Sequence, residues 1–167
     1  MRAIYLTGFM GCGKTTVGKI LGETMKLPVI DMDEEIVRQT GKTIPQIFSE
    51  QGEEGFRLIE TECLKQVPTV DAIITTGGGI VIKEENRKWM NENGLTIFLH
   101  CDFEILYQRI YDDENRPLAK NNSKREIWDL YQKREPLYKE AHYIIKTSSL
   151  SPNEVAEKVM ECLKNGY

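Results

Sequence analysis

The chain has no apolar run long enough to cross a bilayer: its first apolar stretch, Ala3–Met10, is too short and leads directly into glycines. It also lacks a basic excess. The 22 Lys and Arg are outnumbered by 26 Asp and Glu, a net charge of -4. A weakly acidic surface offers no electrostatic footprint for nucleic acid, so an anionic ligand must be held by locally placed basic groups. Cysteine is sparse. Cys12, Cys63, Cys101 and Cys162 are scattered, with no C-x-x-C pair, and the two histidines, His100 and His142, stand alone. That excludes a thiolate metal cluster and a disulfide framework, and predicts reduced thiols in a cytoplasmic protein. Repeats, linkers and low-complexity segments are missing too. What remains is 167 residues, 40% hydrophobic and 29% charged, the balance of one globular domain that can bury its own core.

Short apolar runs alternate with helical periodicity throughout. Ala3–Leu6, Pro28–Ile30, Ala72–Thr75, Leu95–Leu99 and Tyr143–Ile145 read as buried strands. Helical patterns cover Lys14–Met25, Glu34–Gln39, a segment capped by Thr43, Glu53–Val67, Glu84–Asn93, Phe103–Tyr111 and Arg125–Glu140. Ser151-Pro152-Asn153-Glu154 opens a last helix with a capping box. Strands buried on both sides and separated by helices imply an α/β fold with a parallel sheet in the middle layer. The exception is 112–124, polar and aperiodic around Arg116, which reads as a lid or a plain surface loop.

Gly8-Phe9-Met10-Gly11-Cys12-Gly13-Lys14-Thr15 matches G-x-x-x-x-G-K-[ST] between a predicted strand and a predicted helix. Such a loop turns successive N–H groups inward around phosphate oxygens, and the following helix adds its positive end. Lys14 can reach the β- and γ-phosphates, and the Thr15 hydroxyl can ligate Mg²⁺. Cys12 reads as a loop filler.

Three further features point to an acceptor. Asp31 and Asp33 end the second strand, and residues i and i+2 of a strand project on one side about 7 Å apart. Ligands collect at the carboxyl ends of parallel strands, so the pair could divide labour between magnesium and an acceptor hydroxyl. Alternatively, Asp33 caps the next helix. Gly77-Gly78-Gly79 suits a close approach of backbone to ligand, or a flexible turn. Arg57, Arg116 and Arg134 lie outside the glycine loop, and two arginine forks could clamp an acidic substrate. Each taken singly also reads as a surface cation.

In order along the chain, the Walker A loop, Asp31-Met32-Asp33, Gly52-Glu53-x-x-Phe56-Arg57-x-x-Glu60, Gly77-Gly78-Gly79, Asn115-Arg116-Pro117-Leu118 and Arg134-x-Pro136-x-Tyr138 resemble the shikimate kinases over nearly the whole length. The resemblance implies a single P-loop kinase domain over 1–167, with a five-stranded parallel sheet in order 2-3-1-4-5. It places a lid at about 112–124 and substrate-binding helices at about 33–62. It implies transfer of the ATP γ-phosphate to the 3-hydroxyl of shikimate, toward chorismate and the aromatic amino acids. The implied nucleotide set is Gly11, Cys12, Gly13, Lys14, Thr15, Thr16 and Arg116, with Thr15 and Asp31 toward Mg²⁺. Asp33, Arg57, Gly78, Gly79 and Arg134 form the implied acceptor set, and Lys14, Asp33 and Arg116 the catalytic one. Phe48 and Phe56 wall the ring, and Glu60 orients an arginine. The loop Thr147–Pro152 lacks a basic residue that some members set against adenine. A monomer is expected, with neither nucleic acid nor membrane as partner. The rival readings are another small-metabolite kinase, such as a gluconate kinase, and a non-catalytic nucleotide-binding module.

Overall fold

A computed structural model of the chain describes residues 1–113 and 118–165. Its centre is β1 (Ala3–Thr7), whose five residues are all buried. It lies between β3 (Ile73–Thr75) and β4 (Gly94–His100), so Ile4 faces Ile73 on one side and Leu95 on the other. The edges are β2 (Val29–Asp31), paired to β3, and β5 (Tyr143–Lys146), paired to β4. All four pairings are parallel and the order is β2-β3-β1-β4-β5, as the resemblance implied. A strand flanked by strands and covered on both faces favours apolar residues along its length. Ile4, Tyr5 and Leu6 fit that preference at 0% exposure, each stabilising the fold by roughly 1.5–3 kcal/mol through burial.

Helices flank the sheet. α1 (Lys14–Met25) packs on β3 and on α8 (Pro152–Asn165). α2 (Met32–Thr40) packs on α3 (Ile44–Gln66), and α3 in turn touches α4 (Glu84–Asn93), which covers β4. α5 (Phe103–Asp112), α6 (Leu118–Asn121) and α7 (Lys124–Tyr138) gather beyond β4. The expected aperiodic 112–124 therefore contains a helical turn at α6, and Lys124 already belongs to α7. A four-residue turn is too short to leave a periodic signal.

α3 unites two helical patterns read separately in the sequence. Thr43 caps it through a reciprocal box with Gln46, and Gly52 interrupts it with φ 70° and ψ -176°. Only glycine adopts that conformation without strain. The break has a consequence for the site. Eight residues of straight helix would separate Phe48 and Phe56 by about 12 Å along the axis. The kink instead brings their rings into a stack, 4.6 Å between centroids.

Candidate active site

The carboxyl ends of β1, β2 and β3 open into a cleft of about 1,090 Å³. β1 leads straight into the glycine loop, where Gly8, Gly11 and Gly13 have φ of 149°, 81° and 96°. These left-handed positions curl the loop, a geometry that suits N–H groups to an anion. α2, α3 and α7 are closed at their N-termini by side chains of Asp31, Thr43 and Ser123. By contrast, α1 starts from Gly13 with no side-chain cap and no acid in its first turn. Its free donors and positive end are left for an anion. Lys14 curls back, and its ammonium donates to the carbonyls of Gly8 and Phe9. Thr15 and Thr16 stand exposed beside it in the first turn. Cys12 is 4% exposed, its Sγ packed so that a Cβ on Gly8 would lie 2.6 Å away.

The paired aspartates need a correction. Asp31 does end β2, but Asp33 lies in the first turn of α2, so the two do not project as strand neighbours. The cap is Asp31: its Oδ1 accepts the N–H groups of Asp33 at 3.0 Å and Glu34 at 3.1 Å. Its Oδ2 accepts the Thr75 hydroxyl at 3.0 Å. α2 begins at Met32, two residues before the expected Glu34, and Asp33 lies by Gly77, whose added Cβ would be 3.3 Å from Asp33 Oδ1. Asp33 opens into the cleft, yet the concave wall strips enough water to push its carboxyl above the usual aspartate range. Asp31 pushes in the same direction, while Lys14 and Arg57 oppose.

Opposite the loop lies a cationic end. Arg57 Nη1 donates to Glu60 Oε1 at 2.9 Å, and Nη2 lies 3.6 Å from Glu53. Glu60 is 1% exposed, so burial raises its carboxyl, and Arg57 partly offsets that. Arg134 reaches in from α7 at 8% exposure, its Cζ 5.9 Å from the centre of the Phe9 ring. Among the described residues no carboxylate forms an ion pair with Arg134, and the Nε atoms of Arg57 and Arg134 are buried without a hydrogen-bond partner. The glycine triplet packs between these groups. A Cβ on Gly79 would lie 2.2 Å from Arg57 Nη2, and one on Gly78 would lie 3.5 Å from Arg134 Nη1. The stacked Phe48 and Phe56 stand beside Arg57, whose Cζ is 5.1 Å from the Phe56 ring centre.

Asp33, Arg57, Gly78, Gly79 and Arg134 therefore converge across from Gly11–Thr16. Arg116 lies outside the described residues. Sequence reasoning missed Arg109, which leaves α5 to donate from Nη1 to the Gly11 carbonyl at 2.9 Å. It lines the cleft with Leu150, Pro152 and Val155, at the end where the Thr147–Pro152 loop carries no cation. No local motif surrounds Arg109, so only the meeting of α5 with the glycine loop reveals it. His142 accepts the Thr96 N–H at 3.1 Å, a structural role. Among the described residues no three metal-ligating side chains cluster. The Thr15 hydroxyl and the Asp31 carboxylate offer hard oxygens that a ligand and water would have to complete. That donor set suits Mg²⁺, which keeps much of its hydration.

A protein-family model described as shikimate kinase matches residues 10–164. A shikimate kinase of Bacillus cytotoxicus is 44% identical over 160 residues, spanning 96% of this chain and 97% of that protein. The solved shikimate kinase of Acinetobacter baumannii, in complex with shikimate, superposes with a TM-score of 0.91 at 38% identity, covering 99% of this chain and 94% of that one. The shikimate kinase of Aquifex aeolicus gives a TM-score of 0.87 at 37% identity, over 98% and 97% of the two chains.

Proposed function

The chain belongs to the shikimate kinase family, ATP-dependent kinases that phosphorylate a shikimate hydroxyl, and we propose that its cleft directs that transfer to the 3-hydroxyl by clamping the shikimate carboxylate between Arg57 and Arg134. The product is shikimate 3-phosphate, on the way to the aromatic amino acids. The observation that carries the clamp is Arg134: a guanidinium 8% exposed, with no ion pair among the described residues. The buried Glu60 carboxylate acts on Arg134 through space without an ion pair, and an anionic ligand bonded to the guanidinium would offset more of its desolvation cost. Arg57 shares the ligand, and Glu60 holds its fork in place.

ATP lies with its phosphates in the glycine loop. Gly11, Cys12, Gly13, Lys14, Thr15 and Thr16 present backbone and hydroxyl donors, and Arg109 flanks the base end. Lys14, released from the Gly8 and Phe9 carbonyls, neutralises charge on the transferring group, with Arg116 contributed by the lid segment at about 112–124. Thr15, and Asp31 through water, would hold magnesium, which would supply further charge neutralisation. The 3-hydroxyl oxygen forms the new bond to the γ-phosphorus as the bond to the β–γ bridging oxygen breaks. The hydroxyl proton passes to Asp33 Oδ1 or Oδ2 late in the step. A loose transition state asks more of positioning than of base strength. Phe48 and Phe56, from the substrate-binding helices at about 33–62, wall the ring. We take 1–167 as one catalytic domain, a monomer of the cytoplasm. Four free thiols support that compartment, and no helix among the described residues is long and apolar enough to span a membrane.

The test is a coupled ADP-release assay with shikimate, gluconate and nucleoside monophosphates offered separately as acceptor. Turnover with shikimate well above the others is expected. Turnover that ignores shikimate overturns the reading.

A further inference from the structure

Tyr138 closes α7 with a side chain 1% exposed, its ring stacked on Phe98 of β4 at 5.0 Å and 24°. Arg134 lies one helical turn earlier, on the same side of α7. The buried phenol donates its hydrogen to the carbonyl oxygen of Gly78. Burial raises the phenol well above the usual tyrosine range, so it stays a neutral donor at any physiological pH.

That contact acts at a distance through covalent geometry. In a trans peptide the C=O of one residue and the N–H of the next point in opposite directions, and no cis peptide bond occurs in the described chain. Pinning the Gly78 carbonyl toward Tyr138 therefore aims the Gly79 N–H the other way. Among the described residues, the Gly79 N–H makes no hydrogen bond, although its carbonyl accepts from Ile82 at 3.1 Å. Glycines flank the peptide on both sides, so no side chain at 77–79 fixes its plane. The phenol is the side-chain restraint on it.

We propose that Tyr138 is a positioning residue for the acceptor: its hydroxyl orients the Gly78–Gly79 peptide so that the Gly79 N–H meets the carboxylate held by Arg57 and Arg134. This inference rests on the clamp reading above. It divides the work of α7 between two side chains, with Arg134 supplying charge and Tyr138 supplying aim.

The test is Tyr138→Phe, which keeps the stack on Phe98 and removes one oxygen. KM for shikimate should rise about tenfold, the size of one hydrogen bond to an anion, with KM for ATP and kcat within about twofold. In ¹⁵N-glycine-labelled wild type, the Gly79 amide resonance should move on addition of shikimate, and in Tyr138→Phe that movement should be largely lost at equal saturation. Tyr138 also touches Arg134: a tyrosine that only steadied Arg134 would separate the two KM values yet keep the Gly79 response, and a merely structural one would do neither. An unchanged KM for shikimate, equal rises in both KM values, or a wild-type Gly79 response in the variant overturns the proposal. Absence of shikimate turnover in the wild type overturns the clamp reading as well, whereas an unchanged variant beside an active wild type overturns only this one.

Discussion

The Arg57 guanidinium occupies the space that a side chain at position 79 would need: a Cβ built on Gly79 would fall 2.2 Å from Nη2 and 2.5 Å from Cζ. Even one methyl group must displace the arginine. Gly79→Ala is therefore expected to raise KM for shikimate at least tenfold while KM for ATP stays within about twofold, because the displaced fork loses a charge-assisted hydrogen bond. Steady-state kinetics with each substrate varied checks it. Equal effects on both substrates would place Arg57 outside the acceptor site.

Glu60 holds that same arginine from behind. With Glu60 removed, the ion pair left to Arg57 among the described residues is with the exposed Glu53 at 3.6 Å. Glu60→Ala should cost about 3 kcal/mol, the lower end for a broken buried pair. In a domain of this size that lowers Tm by roughly 10 °C. Thermal unfolding measures this loss, and a parallel shikimate titration should show weakened acceptor binding below the new Tm.

Asp33 sets activity against stability. Its carboxyl is raised by burial first and by Asp31 second. A raised folded-state pKa means that the folded protein binds the proton more tightly than the unfolded chain. Stability due to this group is thus fully present below the unfolded pKa, and is lost as pH rises through the folded one. Asp33→Asn should therefore raise the Tm of the ligand-free protein above the folded pKa and leave it unchanged in strong acid. The same variant should lose kcat by about a hundredfold or more, as general-base and orienting groups do. In the wild type, log kcat/KM for shikimate should climb with unit slope below the raised pKa and flatten above it. A profile that stays flat down to the ordinary aspartate range would contradict the shift.

Much of this was legible before the fold. The glycine loop carries its own signature, because phosphate binding needs those residues at that spacing and nowhere else in the chain. The strand order came from the resemblance, and the sheet agrees with it. The residues alone name the arginines without saying which two clamp; the resemblance sets Arg57 and Arg134 together on the acceptor, and they reach Gly79 and Gly78 from helices far apart in sequence. The strand reading of Asp33 fails because β2 is short and Asp31 turns the chain into α2 two residues before Glu34. Gly52 stood in the quoted pattern, yet its left-handed break has no sequence sign beyond being glycine. Arg109 looked like any surface cation until α5 met the loop. Local chemistry announces itself in sequence; convergence of distant side chains depends on packing.

Arg134→Met tests the centre of the account. The substitution keeps much of the buried volume and removes the charge. By isothermal titration, shikimate affinity should fall at least a hundredfold, the scale for loss of a desolvated ion pair, while binding of a non-hydrolysable ATP analogue with magnesium stays within about twofold. Shikimate binding to Arg134→Met with wild-type affinity would contradict the carboxylate clamp.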